Sequence, residues 1–298
     1  RIATMIGNAT RRNTATAGTV VAVTGTNLGT TAVTTVGATS LPIGSIPGVV
    51  PATRAVTGVS FGGVAAVAST IVPTATGFNV TVPAGAKVGD VTITGPAGST
   101  TFAYPGFVVL VAPTVTRAAG VATASGANQA VIGQTLTVTG DNFLGTTAVN
   151  LIDAGGRANG ATFTLLNNTT MTVVVPATIR TFGAAGVQVT TAGGTTTLAA
   201  TAANSAAPTI VGAPTFTGTG FTQPTAPATG KTVTISGTNL LWVNTVQILS
   251  ATPVTVPTFT RVSATQITFT VPAGATTGAI RITSLAGAAT TATALRIP

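Results

Sequence analysis

Short runs in which apolar and polar residues alternate recur along the whole chain. In Leu136-Thr-Val-Thr139 and Val233-Thr-Ile-Ser236 the apolar side chains return at every second position, the period of a strand with one buried face. Each run ends in Gly-x-Asn and then a large apolar residue: Gly140-Asp-Asn-Phe143 and Gly237-Thr-Asn-Leu240, with an earlier copy in Gly25-Thr-Asn-Leu28 after Val20-Val-Ala-Val-Thr24. The glycine is expected at positive φ and the asparagine bonded to its own backbone. That turn would return Leu28, Phe143 and Leu240 to the core.

A second alternating run follows each of the first. It reads Phe78-Asn-Val-Thr-Val-Pro-Ala-Gly85, Met171-Thr-Val-Val-Val-Pro-Ala-Thr178 and Ile267-Thr-Phe-Thr-Val-Pro-Ala-Gly274. Phe78, Val80 and Val82 point one way, Asn79 and Thr81 the other. The proline removes a ladder donor and ends the strand. Pro-Ala-Gly fits a type I turn with proline second. A third run then starts at Asp90-Val-Thr-Ile-Thr94, Gly186-Val-Gln-Val-Thr190 and Gly278-Ala-Ile-Arg-Ile-Thr283, and a Gly- and Thr-rich hairpin such as Gly193-Gly-Thr-Thr-Thr197 closes the unit.

Motifs in one order at near-equal intervals mean three homologous units. Matching phrases, Ala112-Pro-Thr-Val-Thr116 and Ala213-Pro-Thr-Phe-Thr217, open the second and third, and Ala202–Pro208 reads as the linker before the third. The expected domains are 1–111, 112–211 and 212–298, joined tightly enough to form a semi-rigid rod. No helical periodicity is present, and many short strands with frequent turns make the fold class all-β: three tandem antiparallel β-sandwiches. In the first unit the interval from Gly25 to Pro83 is much longer than its counterparts. The excess is an insertion near 31–54 with Ile43, Ile46, Val49 and Val50. It is either a loop folded on its own domain or a contact element for a neighbour.

The order Val233-Thr-Ile-Ser-Gly-Thr-Asn-Leu240, Val59-Ser-Phe-Gly-Gly-Val-Ala65, Val-Pro-Ala-Gly-Ala, a Val-Thr-Ile-Thr strand and a Gly-Thr-Thr hairpin resembles the IPT/TIG family of immunoglobulin-like domains. All three units share the pattern. The Phe-Gly-Gly piece is clear in the first alone; Val149-Asn-Leu-Ile152 and Val246-Gln-Ile-Leu249 stand there in the others. The resemblance implies an early-set sandwich without the usual disulfide. Such domains occur in bacterial surface proteins, adhesins, accessory modules of polysaccharide-acting enzymes, receptors and transcription factors, so it leaves function open.

Composition narrows the function classes. Charged residues make up 5% of the chain, against roughly 25% in ordinary soluble domains. Twelve are basic and three acidic, giving a net charge of +9. The cations are scattered singly apart from Arg11-Arg12, and aromatics are 4%. A nucleic-acid interface would cluster them, so no nucleic-acid partner is expected. Attraction to an anionic cell-surface polysaccharide through the summed field is compatible with this balance. No run of about 18 apolar residues appears, so no membrane span is expected. No leader is visible from Arg1 onward, and the four sequons (Asn8, Asn79, Asn167, Asn168) matter only where the source glycosylates them.

Catalytic chemistry lacks its residues. The chain has no His, Cys or Glu, and its acids are Asp90, Asp141 and Asp153. Triads built on His or Cys are excluded, paired-carboxylate hydrolysis is disfavoured because it needs two placed carboxyls, and no enzyme and no cofactor is expected. Asp141 stands where Thr26 and Thr238 stand in the other copies, which marks it as structural. A calcium ion on one carboxylate and backbone carbonyls is the alternative at each Asp.

The leading expectation is a secreted structural protein. Its neutral, Thr-rich surface has only Lys87 and Lys231 to guard sheet edges, so copies would polymerise into a filament, sheath or surface layer by edge pairing or strand exchange. The candidate subunit contacts are Ile43, Ile46, Val49, Val50, Leu241, Trp242, Ile2, Met5, Leu295 and Ile297, with self as partner. The alternative is an adhesin or carbohydrate-binding stalk module of a cell-surface protein, with Trp242 as a stacking platform. An outer-membrane barrel is disfavoured by the few aromatics and the sandwich-sized repeats. Either favoured reading places the chain outside the cell.

Overall fold

The computed structural model describes residues 2–7, 13–25, 56–74, 77–95, 98–123, 126–200, 206–223 and 229–298. The insertion near 31–54, with Ile43, Ile46, Val49 and Val50, lies outside them, as does the corner after Gly25. The regular elements among the described residues are strands, joined by turns and short irregular segments, apart from two single-turn 3-10 segments, Ala68–Thr70 and Leu240–Trp242.

Three separate apolar cores form. The first is built on Val21, Phe61, Phe78 and Val91, the second on Leu136, Phe143, Met171 and Val187, and the third on Val233, Leu240, Ile267 and Ile280. Each lies between two four-stranded antiparallel sheets. In the second unit, one sheet runs Thr114–Ala119, Thr135–Asp141, Thr170–Val174, Phe163–Asn167. The other runs Ala158–Gly160, Thr146–Ile152, Gly186–Thr191, Gly194–Leu198. The third unit repeats both orders. Short parallel pairings close the first two units, Thr14–Ala15 on Val108–Val109 and Gln129–Ala130 on Thr209–Ile210.

The alternation read from sequence is the alternation of burial. Leu136 and Val138 are fully buried while Thr135 and Thr137 face water. Phe78, Val80 and Val82 are buried between half-exposed Asn79 and Thr81. Packing drives this, because the threonines keep their hydroxyls solvated while each branched apolar side chain leaves water.

The Pro-Ala-Gly turn differs from expectation. Ala86 N–H donates to the Pro83 carbonyl at 3.2 Å, and Gly85 has φ +76°. Proline is therefore first in the turn and glycine third, at the position where a type II turn needs positive φ. Pro272 and Gly274 repeat the geometry. The middle copy has Thr178 instead of glycine. Its Ile179-to-Pro176 bond closes at 3.4 Å with Thr178 outside the positive-φ region.

Candidate functional site

The Gly-x-Asn corner divides its labour otherwise than expected. Asn142 and Asn239 occupy the left-handed region, at φ 60° and 58°; Gly140 and Gly237 do not. A Cβ on Gly140 would overlap the Thr114 carbonyl oxygen, and one on Gly237 the Thr215 oxygen. The glycine lets the opening strand of its unit come close; the asparagine, which tolerates positive φ, makes the turn. Its side chain does not bond its own backbone. Asn142 Nδ2 donates to the Ala112 carbonyl at 3.5 Å, and Asn239 Nδ2 to the Ala213 carbonyl at 2.8 Å. Each corner thus ties down the Ala-Pro-Thr phrase entering its unit.

These corners also face the preceding sandwich. Lys87 of the first unit forms an ion pair with Asp141 of the second. Val88 N–H donates to Asn142 Oδ1 at 3.2 Å, and Asn168 Nδ2 donates to the Val88 carbonyl at 3.0 Å. Asp90 Oδ1 accepts the Tyr104 N–H at 2.8 Å. The Tyr104 hydroxyl lies over Gly145, where a Cβ would meet it at 2.7 Å. Val111 runs against Gly193, whose Cβ would strike its backbone. Between the second and third units, Gly212 fits under the Phe182 ring and the Asn239 amide.

The third acid is internal to its unit. Asp153 is buried, with Oδ1 accepting from Gly155 N–H at 3.0 Å and Arg157 N–H at 3.1 Å, and Oδ2 from Asn159 Nδ2 at 3.3 Å. Burial alone would raise its pKa. The bonds from Arg157, Asn159, Gly155 and the Arg180 backbone outweigh that and hold the carboxyl below its usual value.

One cluster joins an aromatic to a cation. The turn Leu240–Trp242 lies against the edge strand Phe259–Ser263 and is pinned by Leu240 N–H to the Ala264 carbonyl at 2.9 Å. Leu240 is buried, Trp242 half-buried and Leu241 41% exposed. Arg261 Nε donates to the Val243 carbonyl at 2.7 Å, next to Trp242, and its guanidinium sits 4.9 Å from the centre of the Phe259 ring. Sequence reasoning singled out Trp242 and missed Arg261. The available signal was that no acid follows Asp153, leaving every cation of the third unit without a carboxylate in its own unit.

Residues 219–294 match the family model described as IPT/TIG domain. The third unit is an IPT/TIG domain. No curated protein matches the chain in sequence. Among solved structures, one determined with a xylogluco-oligosaccharide is similar over 98% of this chain and 60% of its own, at 21% identity and a TM-score of 0.36. A surface glycan-binding protein from Prevotella bryantii is similar over 61% of this chain and 42% of its own, at 18% identity and TM-score 0.28. An I-band fragment of titin is similar over 62% and 65%, at 12% identity and TM-score 0.32. The chain spans under two thirds of the length of each of these three.

In the IPT/TIG domain, Leu295 is fully buried and Ile297 is 8% exposed, both in the domain's own core. Neither offers a surface to a neighbour, contrary to the contact role expected for them. The reason is local: Leu295 ends the strand Gly287–Leu295, paired on Gly278–Ser284, and Thr277 Oγ1 bonds Ile297 N–H and carbonyl, both at 2.9 Å. At the other end, Ile2 and Met5 belong to the strand Ile2–Gly7, paired antiparallel with Val20–Gly25 of its own unit.

Proposed function

We propose that the chain is a non-catalytic stalk of a cell-surface protein, in which linked immunoglobulin-like sandwiches carry a saccharide-binding surface outward. The observation that carries this is the joint between the first two units. The Lys87–Asp141 pair, the Val88–Asn142 and Asn168–Val88 bonds and the Tyr104–Gly145 contact hold one sandwich to the next, and the ion pair engages one of the chain's three acids. All three acids are engaged in such structural bonds, which favours a spacer over an enzyme.

The sheet edges favour a stalk over a filament. Outer strands that would pair with another copy are interrupted: irregular register breaks Thr114–Ala119, Phe163–Asn167, Thr215–Thr222 and Phe259–Ser263. Val64–Ala65 and Val254–Thr255 have two residues each, and Val72–Thr74 contains Pro73. Bulges, proline and shortness guard an edge as charge does. Gly98–Phe102 and Gly194–Leu198 keep regular register, and the latter lies beside Thr114–Ala119.

The test is affinity electrophoresis of the chain through gels containing neutral or anionic polysaccharides. Retardation by at least one, with no oligosaccharide released, is the expected result. Free migration through every gel, or release of oligosaccharides, would overturn the reading.

A further inference from the structure

Building on the stalk reading, we infer that the IPT/TIG domain binds an anionic sugar at the corner formed by Arg261 and Trp242. The two residues are specific to this copy. Position for position, Gly145 stands in the second unit where Trp242 stands in the third, each five residues after the corner glycine. Leu165, opposite Met171, stands where Arg261 does, opposite Ile267. The scaffold therefore needs neither the indole nor the guanidinium, and the third unit carries both on adjoining elements.

Arg261 is oriented before any ligand arrives. Its Nε is held by the Val243 carbonyl and its plane by the Phe259 ring, and among the described residues its terminal amino groups make no hydrogen bond. No Asp or Glu occurs in 212–298, which contains Lys231, Arg261, Arg281 and Arg296. A half-exposed guanidinium with fixed stem and free fork donates to a carboxylate or sulfate in bidentate fashion at little cost in side-chain entropy. Beside it stands the chain's one tryptophan, half-buried, a residue type suited to stacking against the apolar face of a pyranose. Exposed Leu241 and Val262, at 41% and 52%, flank the pair. Together these features fit a sugar ring bearing an acid group, and the shared chemistry covers uronates and sulfated sugars.

The test uses the full chain in gels containing polygalacturonate, dextran sulfate or neutral hydroxyethylcellulose, with R261Q, R261K, W242A and R281Q variants checked for wild-type melting. Wild type is retarded in an anionic gel, and whether uronate or sulfate retards more identifies the acid. R261Q and W242A each weaken retardation roughly tenfold; R261K, which keeps charge without the fork, weakens it too; R281Q does not. Equal loss in R281Q would mean that the summed positive field does the binding, and would overturn the site. Full binding by W242A or R261K would overturn it as well. Retardation by the neutral glucan alone would refute this inference and leave the stalk reading standing, whereas free migration in all gels would remove both.

Discussion

At the corners of the second and third sandwiches two residue types are needed for two different physical reasons. Gly237 is required because a side chain would strike the Thr215 carbonyl, whereas Asn239 is tolerated at φ 58° and clamps the Ala213 carbonyl. Gly237→Ala should therefore destabilise the third unit by about 3 kcal/mol, as overpacking against backbone does. Gly133→Ala is the control. That residue has φ +82° with open space around its Cβ position, so its cost is about 1 kcal/mol; urea unfolding of the two variants separates these costs. Asp153 makes a second prediction. Its folded pKa is depressed, so its contribution is present above the unfolded value and disappears as pH falls through the folded one. Melting of the second unit should fall below about pH 4, and less so in Asp153→Asn, whose own stability is reduced by about 1–3 kcal/mol because the Gly155 and Arg157 N–H groups lose a charged acceptor.

At the scale of elements, the strands and their buried faces were legible because period-two alternation and burial are the same fact seen twice, as in Thr135–Asp141. The turn chemistry was less legible. Positive φ at the glycine and a self-bonding asparagine are sound local expectations, but the neighbouring strand decides the matter, since Thr114 and Thr215 come too close for a Cβ. The guarding of edges was illegible for a related reason: a bulge leaves no mark in composition, and a count of lysines sees only one way of protecting a strand. Val262 sits in the irregular register between Arg261 and Ser263 and is 52% exposed. Deleting it should straighten the edge Phe259–Ser263 and produce concentration-dependent association in sedimentation velocity, where the parent chain sediments as one species.

At the scale of the whole molecule, the joint between the first two units combines weak and strong parts. Lys87 and Asp141 are 45% and 25% exposed, so their pair contributes on the order of 0.2–1 kcal/mol and is screened by salt. The bonds through Val88, Asn142 and Asn168 are less exposed to water and should hold the joint when the pair is removed. Lys87→Ala is accordingly expected to leave the joint closed, while Asn168→Ala combined with Asn142→Gly should loosen it. No sequence motif announced this arrangement: Lys87 and Asp141 are far apart in the chain, and Asp141 stands where threonine stands in the third copy. The most direct measurement is size-exclusion chromatography coupled to small-angle X-ray scattering, on the parent chain and on the Asn142→Gly/Asn168→Ala variant. A stalk predicts a monomer whose scattering is unchanged by dilution and fits one elongated arrangement, with the variant fitting only a flexible ensemble. Polymers that grow with concentration, or a parent curve already requiring independently moving domains, would contradict it.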